Sequence, residues 1–261
     1  MTDNAANYAE LLDLASRAAR EAGRTILEVY ASDFAVRHKS DRSPVTLADE
    51  QAEAVIIAAL ALGAPDIPVI AEEQIAAMRA APQAAPRFWL VDPLDGTREF
   101  VNRNGEFTVN IGLIENGAAV LGVVHLPVTG MTFAGSGPGT ATRQHAGAAP
   151  VAITARRAPA PGAVVIHSRS HADEARIAAY IATIPGATRR IMGSAAKFCL
   201  VAAGEADYYP RFGRTMEWDT AAGQAVLEAA GGSVTTLDGA RLRYAKPGYV
   251  NADFIARGIA D

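Results

Sequence analysis

Apolar residues recur at three- and four-residue steps between Tyr8 and Tyr30, at Leu11, Ala15, Ala18, Ala22, Ile26 and Val29, and predict a first helix with one buried face. A second helix is predicted from about Thr46 to Leu62, opening just after Pro44 and closing at Gly63, where a glycine cap belongs. The period then changes. Ile67 to Ala71 reads as a strand that delivers Glu72 and Glu73 at its end. After an Ala/Pro-rich connection from Ala76 to Pro86, Phe88 to Val91 reads as a buried strand running straight into Asp92. The runs Phe107 to Ile114 and Ala118 to Val124 flank Asn116-Gly117, a strong signal for a two-residue hairpin, so antiparallel sheet is expected after Asp92.

The Gly-, Pro- and Thr-rich stretch from Gly135 to Gly147 is the expected boundary between an N-terminal α+β half, residues 1–140, and a C-terminal α/β half, residues 141–261. In the second half, strands at Ala163 to His167, Ala206 to Tyr209 and Ser233 to Thr236 alternate with helices at Ala172 to Thr183, Ser194 to Ala203 and Trp218 to Ala230. The fold class is therefore α/β with two unlike halves.

Composition narrows the function. With 261 residues, 50% hydrophobic and 20% charged, the chain has the make-up of a soluble globular enzyme. Charged residues interrupt the apolar positions of the first 23 residues, and no later run reaches membrane-spanning length, so a cytoplasmic location is expected, with peripheral association with the inner membrane left open. The single Cys199 can form no intramolecular disulfide and is expected in the core. A net charge of -4 without a basic run argues against a nucleic-acid polymer as partner and leaves room for a small anion. An oligomer is not required.

The acidic residues Asp49, Glu72, Asp92, Asp95 and Asp219 follow strands or open helices, where side chains project from a rigid frame. Each has a second reading. Asp92-Pro93 and Asp95-Gly96 are ordinary turn dipeptides, Thr46 with Asp49 fits a helix-capping box, Glu72-Glu73 could be a solvated strand end, and Asp219 suits the start of a helix. Taken together they match the needs of Mg²⁺, which takes oxygen ligands from a few carboxylates. A turn at Asp92 to Asp95 would aim both carboxylates one way, with the Leu94 carbonyl between them. Such a cluster needs cations, because like charges ~4 Å apart repel by ~4 kcal/mol at an effective dielectric near 20.

The string Trp89 to Phe100, with Asp92-Pro93-Leu94-Asp95-Gly96-Thr97 at its centre, and the string Glu217 to Gly223 resemble the paired signatures of the inositol monophosphatase superfamily of lithium-sensitive, Mg²⁺-dependent phosphatases. Ser43 to Thr46, Arg103 to Asn110, Ser168 to Asp173, Lys197 to Ala202 and Tyr209 to Gly213 are similar to its CysQ-type 3'(2'),5'-bisphosphate nucleotidase subgroup. The resemblance implies a layered αβαβα sandwich. It implies two or three Mg²⁺ ions held by Glu72, Asp92, the Leu94 carbonyl, Asp95 and Asp219, with Asp49 near a further metal or its water. Thr97 would orient the attacking water, with Thr46, Asp49 and Glu72 completing the catalytic group. Substrate would meet Asp95, Gly96, Thr97, His171, Ser194, Lys197, Arg211 and Asp219.

From the residues alone, Ser194 is an N-cap at a helix start that favours an anion, while Lys197 and Arg211 read equally as phosphate donors or surface charges. Arg98 and Glu99 are left unassigned, and His38, His125, His145 and His167 show no site spacing. The reaction implied is hydrolysis of a small nucleotide bisphosphate, adenosine 3',5'-bisphosphate, to AMP and phosphate by metal-activated water. A 3'-phosphoadenylyl sulfate activity and a role in clearing a by-product of sulfate assimilation go with it. The alternatives are an inositol monophosphatase or fructose-1,6-bisphosphatase of the same superfamily and, in another class, a non-catalytic nucleotide-binding protein.

Overall fold

The computed structural model describes residues 2–38, 44–78, 85–170 and 173–260. Helix α1 (Thr2–Tyr30) leads to an antiparallel ribbon of β1 (Val36–His38) and β2 (Pro44–Thr46), and then to α2 (Leu47–Gly63). The apolar positions predicted for the first helix are all buried in the core it shares with α2. Thr46 is the N-cap of α2, and with Asp49 it forms the expected capping box. Gly63 is not the cap, however. It is the last helical residue, and a Cβ there would meet the Leu14 side chain at 2.7 Å, so this glycine lets α1 and α2 approach closely.

Next come β3 (Val69–Ala71), α3 (Glu72–Ala77), β4 (Arg87–Asp95), α4 (Thr97–Val101), β5 (Thr108–Glu115), β6 (Ala118–Leu126), β7 (Met131–Gly135), β8 (Thr142–His145) and β9 (Val151–Ala152). The strands form one seven-stranded sheet in sequence order, with β3 parallel to β4 and the other neighbours antiparallel. The hairpin at Asn116-Gly117 is present, with φ of 49° and 73° at the two residues, the left-handed pair that such a turn needs. The stretch expected to divide the halves at 140/141 lies inside this sheet. Its glycines form the turns around β8, and pairing continues to Ala152, because turn-rich composition marks hairpin ends as readily as a linker.

The second sheet is built from β10 (Val164–Ser168), β11 (Thr188–Met192), β12 (Tyr208–Arg211), β13 (Ser233–Thr236) and β14 (Phe254–Arg257), in the order β11-β10-β12-β14-β13. Helices α5 (Glu174–Ala182), α6 (Ala196–Ala202) and α7 (Ala221–Ala229) intervene. Helices α1 and α2 cover one face of the first sheet, α6 and α7 lie between the sheets, and α5 packs outside the second through Tyr180 against Tyr208. This is the expected αβαβα sandwich.

Helix α7 sits on the first sheet at backbone distance. Gly112 pairs with Gly122, and Gly122 pairs with Gly135, so three glycines run across β5, β6 and β7 in one line. A Cβ on Gly122 would lie 2.2 Å from the Ala222 carbonyl oxygen, one on Gly112 2.9 Å from Ala221 Cβ, and one on Gly135 2.7 Å from Ala229 Cβ. Any side chain in this line would push the helix away. The other side of α7 joins α6 and the second sheet in a separate core that includes Phe198, Val226, Leu227 and Phe254.

Candidate metal centre and active site

Strand β4 does not stop at Asp92 as the turn reading required. It continues to Asp95, and its register against β5 slips between Asp92–Asn110 and Asp95–Thr108, the mark of a bulge with one extra residue on β4. Pro93, which has no N–H to give to a ladder, falls inside that bulge. The bulge keeps Asp92 and Asp95 on a strand held from both sides. Asp92 is 2% exposed and accepts the Leu94 N–H at 3.0 Å. Glu72 is the first residue of α3, whose N-terminus is capped by the buried Glu53, which accepts from the Glu73 N–H at 2.7 Å and the Gln74 N–H at 2.9 Å. Asp219 precedes α7 instead of lying within the expected helix, and it accepts the Met216 N–H at 2.9 Å.

Carboxylate oxygens of Glu72, Asp92 and Asp219 come within 4.8 Å of one another, the one such group among the described residues. Asp95 borders the same cavity but stands outside the triplet. Its Oδ2 accepts from the Ala195 N–H at 2.6 Å and from Asn110 Nδ2 at 3.2 Å. Burial pushes the Asp95 carboxyl up to about 6, against the pull of Lys197. Asp219 is raised well above the usual carboxylate range, first by burial and then by the charges of Asp95 and Glu72. A donor set made only of carboxylate oxygens fits a hard divalent cation.

Behind the triplet, Asp49 is 1% exposed and accepts on both oxygens. Oδ2 takes the Thr46 N–H at 2.8 Å and the Thr46 hydroxyl at 2.7 Å, and Oδ1 takes the Thr97 hydroxyl at 3.1 Å. Thr97 Oγ1 also lies 3.3 Å from the Leu94 carbonyl. Asp49, which does not line the cavity, can take the Thr97 proton, so the hydroxyl oxygen is left to act as an acceptor in the cavity that Thr97 lines. Gly96, at φ 96°, makes the turn from β4 into α4 that a side chain would strain.

The opposite wall comes from the second half. Lys197 and Arg211 are 2% and 7% exposed, which removes the surface-charge reading of both. The Lys197 ammonium donates to the carbonyls of Ser194 and Met192, the latter at 3.3 Å, and burial lowers its pKa to about 8. Arg211 donates to Ser168 Oγ at 3.3 Å and to the Arg214 carbonyl at 3.2 Å. Ser194 is not the helix cap expected of it. It holds a left-handed φ of 50° two residues before α6, and the cap position belongs to Ala195, whose N–H serves Asp95. His171 lies outside the described residues. The two walls enclose a cavity of about 230 Å³.

Sequence reasoning missed the residues that hold the site in place. Asn110, opposite Asp92, and Glu53, on a helix face, carry no local signal, because their partners are remote in sequence. Glu217 was visible within the second signature but had no role there. It is fully buried and accepts the N–H groups of Ala245 and Lys246 at 2.8 and 2.9 Å, which fixes the segment ahead of Asp219. Glu99, left unassigned, is 4% exposed and accepts the Ser170 hydroxyl at 2.6 Å.

The sequence and the fold as a whole are similar to those of known proteins. The chain is 44% identical over 247 residues, 94% of its length and 98% of the relative's, to the 3'(2'),5'-bisphosphate nucleotidase CysQ of Shigella flexneri, and equally identical over the same spans to that of Escherichia coli K12. The crystal structure of CysQ from Bacteroides thetaiotaomicron, a bacterial member of the inositol monophosphatase family, superimposes with a TM-score of 0.80 at 34% identity, covering 96% of this chain and 97% of that one. The sequence profile of the inositol monophosphatase family matches residues 7–260, from the first helix to the end of the second sheet, and the chain belongs to that family.

Proposed function

We propose that the chain is a Mg²⁺-dependent 3'(2'),5'-bisphosphate nucleotidase that hydrolyses adenosine 3',5'-bisphosphate to AMP and phosphate. The observation that carries the reading is the meeting, in one cavity, of the Glu72–Asp92–Asp219 triplet with the buried cations Lys197 and Arg211. It is supported by the nucleotidase name of relatives matched over 98% of their length. Glu72, Asp92, Asp95, Asp219 and the Leu94 carbonyl would hold the cations, which when bound lower the pKa of water and offset charge on the phosphoryl oxygens. Inhibition by Li⁺, a cytoplasmic location and a place in sulfur metabolism belong to the same reading.

The chain's own residues then divide the work. Thr97, with its hydroxyl proton directed at Asp49, accepts a hydrogen bond from the attacking water and sets its direction. Asp49 is held by the Thr46 hydroxyl and N–H and cannot turn away. Lys197, Arg211, Ser194 and His171 bind the nucleotide, and the acidic wall turns a phosphomonoester toward the cations. Phosphate release from adenosine 3',5'-bisphosphate, inositol 1-phosphate and fructose 1,6-bisphosphate, each with Mg²⁺, tests this reading. The highest kcat/KM is expected for the nucleotide, and a higher value for inositol 1-phosphate would overturn it.

A further inference from the structure

The cavity carries charges of both signs. Five cations, Arg98, Arg169, Lys197, Arg211 and Arg214, line it together with five carboxylates, Glu72, Asp92, Asp95, Glu99 and Asp219. A bisphosphate carries two dianionic groups, only one of which reacts. The other needs a cation of the protein within reach.

Arg169 is held unlike the rest. Its Nε and Nη2 donate to Glu106 Oε2 and Oε1 at 2.9 and 2.7 Å, a fork-on-fork pair. The same Glu106 Oε2 accepts the Gly193 N–H at 2.8 Å, next to Ser194. Glu106 lies between α4 and β5 in the first half, while Arg169 and Gly193 follow β10 and β11 in the second. A guanidinium has five N–H donors in a rigid plane. Glu106 takes the side edge, so the end edge, Nη1 with the second Nη2 hydrogen, remains available to another oxyanion in the cavity that Arg169 lines. A guanidinium already fixed in plane loses little freedom when it binds.

We propose that Arg169 is a specificity-determining residue that binds the phosphate of the bisphosphate substrate that is not cleaved, with Glu106 as its positioning residue. The proposal rests on the nucleotidase reading above, and the substrate pair that tests it keeps the two apart. Adenosine 3',5'-bisphosphate and adenosine 3'-monophosphate share the reacting group and differ in the second phosphate. In the wild type, the ratio of their kcat/KM values tests the nucleotidase reading, and the change of that ratio on substitution tests Arg169.

Arg169→Ala is expected to lower kcat/KM for the bisphosphate by about 10- to 100-fold, the loss of one charge-assisted bidentate contact, and to leave the monophosphate within about twofold. Arg169→Lys, which keeps charge without a fork, should fall between. Glu106→Gln can still accept from Gly193 and should raise KM for the bisphosphate with little change in kcat. The Arg169 side chain is 43% exposed, so the variants should fold, and circular dichroism melting checks this. An equal fall for both substrates in Arg169→Ala would make the ion pair a structural staple and overturn the proposal, as would an unchanged ratio.

Discussion

At the scale of single residues, Asp49 does two jobs with one carboxylate. It closes the capping box of α2 through Oδ2 and takes the Thr97 hydroxyl proton through Oδ1. Thr97→Val keeps the shape of the side chain and removes the oxygen that would accept from water. It is expected to lower kcat about 100-fold or more with KM little changed, whereas Thr97→Ser should retain most of the rate. Steady-state kinetics with adenosine 3',5'-bisphosphate decides, and a Thr97→Val enzyme of near-normal kcat would remove Thr97 from the mechanism. The sequence left Asp49 between cap and site because both descriptions hold. Glu72, Asp92 and Asp219 stood out with Asp49 and Asp95 because each follows a strand or opens a helix, and it was the family resemblance that grouped them as ligands. The sequence could not reveal that Asp95 turns to Ala195 and Asn110, because neither contact has a local pattern.

At the scale of elements, legibility followed local chemistry. Helix α1 and the β5–β6 hairpin were readable because their periodicity and turn residues lie within a few positions of one another. Strand β11, Thr-Arg-Arg-Ile-Met at 188–192, was not. It is largely exposed at a sheet edge and lacks the apolar alternation of a half-buried strand. The glycine line under α7 was equally hidden, since Gly112, Gly122 and Gly135 meet only once the strands pair. Gly122→Ala should destabilise the fold by about 1–3 kcal/mol through overpacking and lower activity as well, because displacing α7 carries Asp219 away from Asp92. Gly63→Ala meets only the Leu14 side chain and should leave activity intact. Urea unfolding with parallel assays compares the two, and unaltered activity in Gly122→Ala would mean that α7 does not position Asp219.

For the whole molecule, the acidic wall links stability to pH and to metal. The Asp95 carboxyl goes from an ordinary 3.8 to about 6 on folding, so the folded state binds the extra proton between those values. That contribution is present below about pH 4 and lost as pH rises through about 6 in the metal-free protein, and Asp219 shifts in the same direction. Mg²⁺ favours the ionised carboxylates and should reverse the loss. The rise in Tm on adding millimolar Mg²⁺ is therefore expected to be small near pH 4 and to grow toward pH 7 in scanning calorimetry. A Tm indifferent to Mg²⁺ and EDTA at pH 7 would count against the metal site.

Helix α7 has a mechanical meaning too. One sheet grips it backbone to backbone across three glycines, and side chains from the other sheet close over its far side. A segment held in this way on both sides ties the spacing of the two sheets to its own diameter. The stacking of the layers and the placing of Asp219, just ahead of this helix, are therefore set by the same close contacts.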